Sequence, residues 1–227
     1  HCDYRLIVLA PSSVQEMADF VALGVDLSFK YRTPAMILAD GIVGQMMEKV
    51  VLPPMRPRRT AEEIAKQCPW ATTGNPSKRH PNTITSLELD SAVMEKNNER
   101  FQATYRKIEE NEVRYQTYFT DDAEYLIVAF GSMARICLKA IEEARKQGIK
   151  IGMIRPITLW PFPYDAIDKI ASHTKGILVV ELNAGQMIED VRLAVGRDKK
   201  VVHFGRMGGI VPNPSEILNA FSNEFLK

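Results

Sequence analysis

The groups able to do chemistry in this chain stand where apolar runs stop. Gly131-Ser132 follows the run 125–130, Arg155-Pro156 follows 150–154, and Asn183 and Gln186 follow 177–182. Glycine lets the backbone turn tightly into a helix, whose free amides could hold a phosphate or carboxylate; a small residue is also what any strand-to-helix junction favours. No GxGxxG follows, which argues against a dinucleotide site. The Arg155 guanidinium can grip a carboxylate or phosphate through two parallel hydrogen bonds, or pair with Glu or Asp across a subunit interface. Asn183 and Gln186 can hydrogen-bond a ligand or a neighbouring chain, and Asn183 equally suits a helix cap. His203 lies in an apolar run and reads as a satisfied core residue rather than a base. The loop after it, Gly205-Arg206-Met207-Gly208-Gly209, is basic and permits close backbone approach to a partner. No Ser/His/Asp order, GxSxG, HExxH or P-loop is present, so the residues by themselves name no reaction.

Regular elements must carry these groups. Residues 5–10 read as a strand, broken by Pro11-Ser12-Ser13. Ser13 caps a helix running to Tyr31, with Glu16 at capping-box spacing, and 34–39 form the next strand, ending at Asp40-Gly41. This β-α-β unit implies two parallel strands. From Ala123 the pattern is regular: strands at 125–130, 150–154, 177–182 and 200–204 alternate with helices at 133–147, 164–172, 186–194 and 215–225. Gly148 is placed to end the first of these helices, and Ser215 to cap the last. Four βα units predict an open parallel sheet with helices on both faces, whose functional loops follow the strands' carboxyl ends. Trp160-Pro161-Phe162-Pro163 reads as a stiff aromatic turn, suited to a packing wedge or interface anchor.

Between these regions the composition changes. Pro53, Pro54 and Pro57 with Arg56, Arg58 and Arg59 give an extended basic connector. Pro69-Trp70, Gly74-Asn75-Pro76 and His80-Pro81-Asn82 then punctuate a long irregular stretch, which fits a segment lying across a neighbouring surface. Residues 91–118 read as a solvated helix with one packed stripe, Met94, Phe101, Tyr105 and Ile108. The division expected is 1–52, a connector at 53–120, and an α/β domain at 121–227.

The chain of 227 residues holds 45% hydrophobic and 25% charged residues, ordinary for a globular protein. Lys+Arg 29 against Asp+Glu 28 gives no basic excess for nucleic acid and no acidic tail. Cys2, Cys68 and Cys137 are far apart and offer no CxxC pair, zinc spacing or iron–sulfur ligand set; free thiols in a reducing cytoplasm are the simplest reading. No apolar run is long enough to cross a bilayer, and no signal peptide is visible. The chain starts at His1 and runs almost at once into a strand, and two strands with one helix cannot cover a parallel sheet on both faces. The expectation is a carboxyl-terminal fragment of a larger chain.

The wording of the loops is specific. Asp3-Tyr4-Arg5, Leu9-Ala10-Pro11-Ser12-Ser13-Val14-Gln15-Glu16, Leu38-Ala39-Asp40, Ile154-Arg155-Pro156-Ile157-Thr158-Leu159-Trp160-Pro161-Phe162-Pro163, Glu181-Leu182-Asn183-Ala184-Gly185-Gln186-Met187 and Arg206-Met207-Gly208-Gly209 stand out. Together they resemble the α-subunit of 2-oxoacid:ferredoxin oxidoreductases, nearest to the 2-oxoisovalerate (branched-chain) type, then the 2-oxoglutarate type, across essentially all of the chain. Strand-Gly131-Ser132-helix and strand-Arg155-Pro156 are also similar to the carboxyl-terminal domain of transketolase-like enzymes. The resemblance implies that 1–52 is the last part of a pyrimidine-binding domain and 121–227 a transketolase-C-like α/β domain. It implies thiamine diphosphate and magnesium at an interface with a β-subunit, iron–sulfur clusters on other subunits, and coenzyme A as co-substrate. It further implies decarboxylation of a 2-oxoacid with electrons to ferredoxin, in a cytoplasmic oligomer of αβ units working under low oxygen. The activating glutamate is expected upstream of His1. Gln15, Glu16 and Asp40 match motif positions without being assigned that role, and no catalytic, cofactor or metal residue is assignable here. Gly131, Ser132, Arg155, Asn183 and Gln186 are the candidates for facing a ligand or partner. The fragment is expected to be inactive alone and to self-associate through an exposed apolar sheet face. Two rivals are the β-subunit of an NAD-linked 2-oxoacid dehydrogenase or another transketolase relative, and a docking domain that touches no substrate.

Overall fold

The computed structural model of the chain describes residues 4–72 and 80–226. Cys2, Asp3 and the Gly74-Asn75-Pro76 turn lie outside them. Two units form, His1–Leu52 with Tyr105–Lys227, and Pro53–Thr104.

In the first unit, β1 (Ile7–Leu9), α1 (Val14–Tyr31) and β2 (Ala35–Ile37) make the expected β-α-β unit. Its strands are parallel, with Val8 opposite Met36. Ser13 caps α1, its Oγ accepting from the Glu16 amide at 3.2 Å. The return bond of a capping box is displaced by one residue, because Glu16 Oε2 accepts from the Ser12 amide instead. A short helix, α2 (Gly41–Gln45), follows β2.

The second unit contains α3 (Ala61–Gln67), closed by a Thr60/Glu63 capping box. The long helix α4 (Ser91–Asn111) begins there and ends in the first unit. Helix was expected to Tyr118. It stops at Asn111, and Tyr115–Tyr118 is a strand, β3, antiparallel to the later β5. Tyr-Gln-Thr-Tyr has strand-favouring residues, and an available sheet edge outweighs the helical pattern upstream. The packed stripe of α4 is confined to its end, where Tyr105 and Ile108 are buried while Phe101 is 45% exposed.

The remaining elements are β4 (Tyr125–Ala129), α5 (Gly131–Lys146), β5 (Ile151–Pro156), β6 (Thr158–Trp160), α6 (Tyr164–Ala171), β7 (Ile177–Glu181), α7 (Met187–Val195), β8 (Val201–Gly205) and α8 (Pro214–Phe225). β4, β5, β7 and β8 are parallel, and β3 edges them, in the order β3-β5-β4-β7-β8. Side-chain alternation serves both faces. Ile127, Leu178 and Val180 point to the core under α5 and α8 with Met133, Ile141 and Phe221. Leu126, Val128, Ile177 and Val179 point to the core under α6 and α7 with Ile167 and Val191. Gly148, at φ +81°, follows α5 as expected. Asn213, not Ser215, caps α8; it accepts from the Glu216 amide, and Pro214 occupies the first turn, where no donor is missed.

β6 was not expected. Prolines at 156 and 161 give Thr158-Leu159-Trp160 the look of a turn, yet it is a strand antiparallel to β1, with Val8 opposite Trp160. The second sheet of the molecule therefore runs β2-β1-β6. Beyond β6 the aromatic loop acts as a wedge. Trp160 packs with Ile7, Leu9 and Tyr105 in one core, and Phe162, 5% exposed, packs in another beneath α6 and α7. β3 thus joins the larger sheet and β6 the smaller.

Candidate functional site

Strand order reverses between β4 and β7, since β4 leads leftward to β5 and β7 rightward to β8. That crevice is where an open α/β sheet normally receives a ligand. A cavity of ≈ 190 Å³ lies there, lined by Phe130, Gly131, Met133, Glu181, Leu182 and Asn183, and by Leu38, Ala39 and Asp40 from the β2–α2 loop.

The anion expected at the start of α5 is supplied by the chain. Asp40 Oδ2 accepts from the Ser132 amide at 2.8 Å. Its Oδ1 accepts from the Ile42 and Val43 amides, each at 3.0 Å. One carboxylate thus caps both α2 and α5, a placement the positive ends of two helices favour. Gly131 makes the approach possible. Its φ is +60°, and an added Cβ would stand 2.8 Å from Asp40 Oδ2. Ser132 is buried, and its Oγ has no hydrogen-bond partner among the described residues.

Arg155 was expected to face a ligand or reach across a subunit interface. Within this chain its partners are internal. Its side chain is 4% exposed, its Nη2 donates to Glu16 Oε1 at 2.7 Å, and its Nη1 donates to Ser12 Oγ. Glu16 Oε2 turns back to the Ser12 amide at 2.7 Å. The guanidinium ties the carboxyl end of β5 to the start of α1.

The start of α7 repeats the logic of α5. Glu181, 1% exposed, accepts from the Gln186 amide at 3.2 Å and the Met187 amide at 2.7 Å through Oε2, and from the Ile188 amide at 3.1 Å through Oε1. Asn183 Oδ1 accepts from the amides of Gly185 and Gln186, at 2.7 and 3.2 Å. Gln186 occupies the cap position with its amide engaged and its side chain exposed. His203 Nε2 is 3.7 Å from Glu181 Oε1, too far for a hydrogen bond. It is buried without a partner among the described residues, so the expectation of a satisfied histidine does not hold at that atom. Arg206, in the glycine loop, donates to Glu216 Oε1 at 2.9 Å.

Another charged cluster went unread in the sequence. Glu112, just past α4, is 2% exposed. It accepts from Lys30 Nζ at 2.6 Å, Tyr31 Oη at 2.7 Å and Arg114 Nη1 at 2.7 Å. Burial alone would push its carboxyl up, but the hydrogen bonds from Lys30, Tyr31 and Arg114 outweigh it and hold the pKa at about 2. Desolvation likewise pushes the fully buried Cys137 thiol well above its usual range, which makes it an inert core residue. The structure therefore brings Gly131 and Asn183 to one crevice, buries Ser132 beside it, leaves Arg155 in a separate internal brace, and turns Gln186 outward. The sequence signal for Asp40 was an Asp-Gly pair closing a strand. Glu112 gave none, because Lys30 and Tyr31, which meet it beside the nearby Arg114, are remote in sequence.

Two family models match the chain. One, described as pyruvate flavodoxin/ferredoxin oxidoreductase, thiamine diphosphate-binding, matches residues 1–116. The other, pyruvate:ferredoxin oxidoreductase core domain II, matches residues 123–217. Ketoisovalerate oxidoreductase subunit VorB of Methanothermobacter thermautotrophicus is 45% identical over 92% of this chain and 57% of its own length. The 2-oxoglutarate synthase subunit KorA of Methanothermobacter marburgensis is 31% identical over 96% of this chain and 64% of its own length. This chain thus spans about three-fifths of these relatives. In fold it is similar to the 2-oxoglutarate:ferredoxin oxidoreductase of Magnetococcus marinus, solved with 2-oxoglutarate, coenzyme A and succinyl-CoA bound. The TM-score is 0.76 at 20% identity, covering 99% of this chain and 43% of that one. With one model over its first half, another over its second, and these relatives along nearly all of its length, the chain belongs to the 2-oxoacid:ferredoxin oxidoreductase family, in its thiamine diphosphate-binding and core II regions.

Proposed function

We propose that this chain is part of the α-subunit of a 2-oxoacid:ferredoxin oxidoreductase acting on 2-oxoisovalerate. The observation that carries the substrate is the 45% identity to a ketoisovalerate oxidoreductase subunit, against 31% to a 2-oxoglutarate synthase subunit. The reaction converts one 2-oxoacid, one coenzyme A thiol and two oxidised ferredoxins into acyl-CoA, carbon dioxide, two reduced ferredoxins and a proton. Thiamine diphosphate supplies the decarboxylation chemistry in this family.

The described residues do not fit the diphosphate and its magnesium. The helix starts at the strand-order reversal hold Asp40 and Glu181, whose charge repels a second anion. Among the described residues no group of three His, Cys, Asp or Glu is placed to bind a metal. Diphosphate and magnesium are accordingly assigned to a partner β-subunit, and the iron–sulfur clusters to other subunits. This chain's part is to hold the pyrimidine-side elements against a bracing α/β layer. Among the described residues no helix is long and apolar enough to cross a membrane. The working location proposed is the cytoplasm.

The test is coenzyme A-dependent viologen reduction without oxygen, by the full-length protein assembled with its companion subunits. Reduction with 2-oxoisovalerate, and little with 2-oxoglutarate or pyruvate, is expected. Preference for either other acid overturns the substrate. Inactivity with all three, from a complex shown to carry cofactor and clusters, overturns the reaction.

A further inference from the structure

A larger cavity opens beside the crevice of β4 and β7. Its volume is ≈ 530 Å³, and Leu182 belongs to the walls of both. Ile42, Gln45 and Met46 line it from α2 and its cap, and Arg206 and residues 209–211 from the loop after β8. That volume suits an organic molecule rather than a lone water or ion. The wall is mainly apolar, and its rim leaves Ile210 55% and Val211 45% exposed.

Arg206 and Gln45 are the polar side chains in that wall. Arg206 donates through Nη2 to Glu216 Oε1 at 2.9 Å, while its Nε is buried with no partner among the described residues. Native structures leave few buried donors without acceptors. The other three such side-chain atoms among the described residues, on Ser132, Arg155 and His203, also stand near the carboxyl ends of this sheet's strands.

Charge selects the class of molecule. Arg206 is the one charged side chain in the lining, and Glu216 balances it. Arg135, whose Nη1 is 3.9 Å from Met46 Sδ, is likewise balanced by Glu48. Asp40 and Glu181, each next in sequence to a lining residue, lie on helix amides with no cation paired to them by the bonds described above. An anion would meet those two carboxylates, and a cation would meet the guanidinium. N–H donors in an apolar wall remain, and these suit an uncharged acceptor.

We infer that this cavity binds a neutral organic molecule of the amide or ester class, with an apolar body and a carbonyl acceptor. The body covers Ile42, Leu182, Ile210 and Val211, and the carbonyl accepts from the guanidinium edge that Glu216 leaves open. Such binding goes beyond the proposed reaction and needs no turnover to be seen.

Methyl-labelled full-length protein, in its assembled complex, is titrated by NMR with N-butylpentanamide, and in parallel with pentanoate and pentylammonium. Methyl signals of Ile42, Leu182, Ile210 and Val211 should shift and saturate with the amide, at a Kd at least tenfold below that of either ion. Arg206→Leu should weaken the amide at least tenfold. Val211→Trp fills the cavity from an exposed position and should abolish amide binding, which keeps the test sound if the first variant disturbs its loop. Unmoved methyl signals elsewhere show that each variant is folded. Absence of saturable shifts overturns the inference, as does equal affinity for the three probes. Tighter binding of pentanoate also overturns it, by making Arg206 an anion site. Failure of the functional reading is separable. A complex that binds the amide yet oxidises no 2-oxoacid keeps the cavity's assignment and removes the reaction.

Discussion

Single residues here are mostly fasteners rather than reagents, and Arg155 shows the difference. A guanidinium that waited for a ligand would be dispensable to the folded chain, whereas one that ties the half-buried Glu16 and the buried Ser12 to β5 would not. Arg155→Met should lower the unfolding free energy by about 3 kcal/mol, because Glu16 is left beside an apolar side chain. Arg155→Lys should recover only part of that, since one ammonium cannot reproduce the guanidinium's fork to both Glu16 and Ser12. Urea denaturation of the chain measures both, and an unchanged midpoint for Arg155→Met would return this residue to the ligand-facing reading. Glu112 gives a pH signature of its own. Its folded pKa, about 2, lies below the ordinary 4.5, so its contribution is fully present above pH 4.5 and is lost as pH falls toward 2. Linkage for that shift amounts to roughly 3 kcal/mol. Stability measured against pH should therefore slope less steeply in Glu112→Gln than in the parent between those limits. Parallel slopes would show that Lys30, Tyr31 and Arg114 do not hold the carboxylate in solution.

At the scale of elements, two helix starts are closed by carboxylates from elsewhere, and Gly131 is the hinge of the first. Gly131→Ala forces a positive φ on a residue with a Cβ and sets that Cβ against Asp40. The expected loss is about 2 kcal/mol. Combining it with Asp40→Ala relieves the clash, so the double variant should lose less than the two single losses added together. Thermal unfolding of the three proteins reads the coupling, and simple additivity would refute the shared cap. Legibility in the sequence followed the same division. α1, α5, α6, α7 and α8 were readable from apolar periodicity, which a local N-cap side chain supports at α1 and α8. The helix start at Gly131 was read as able to hold an anion or as a plain strand-to-helix junction, and in the fold Asp40 sits on its Ser132 amide. What no local signal carried was the identity of the anion, because Asp40 lies 92 residues away in sequence. Arg155 meets the same limit. A strand-end guanidinium looks alike whether its carboxylate comes from a ligand, a partner or a helix start 139 residues earlier.

At the scale of the whole molecule, the family and the α/β fold were written in loop wording and strand runs, while the stitching between regions was not. β3 and β6 escaped because each is short and each gains its stability from a partner edge rather than from its own residues. β6 has a further consequence. The two family models meet between residues 116 and 123, which looks like a natural place to cut the chain. A cut there would take Thr158–Trp160 away from β1 and β3 away from β5. Each piece would then carry a raw β-edge whose complement is in the other. The two halves are halves in ancestry only, and a shortened version that stops before Trp160 lacks the last strand of its first sheet.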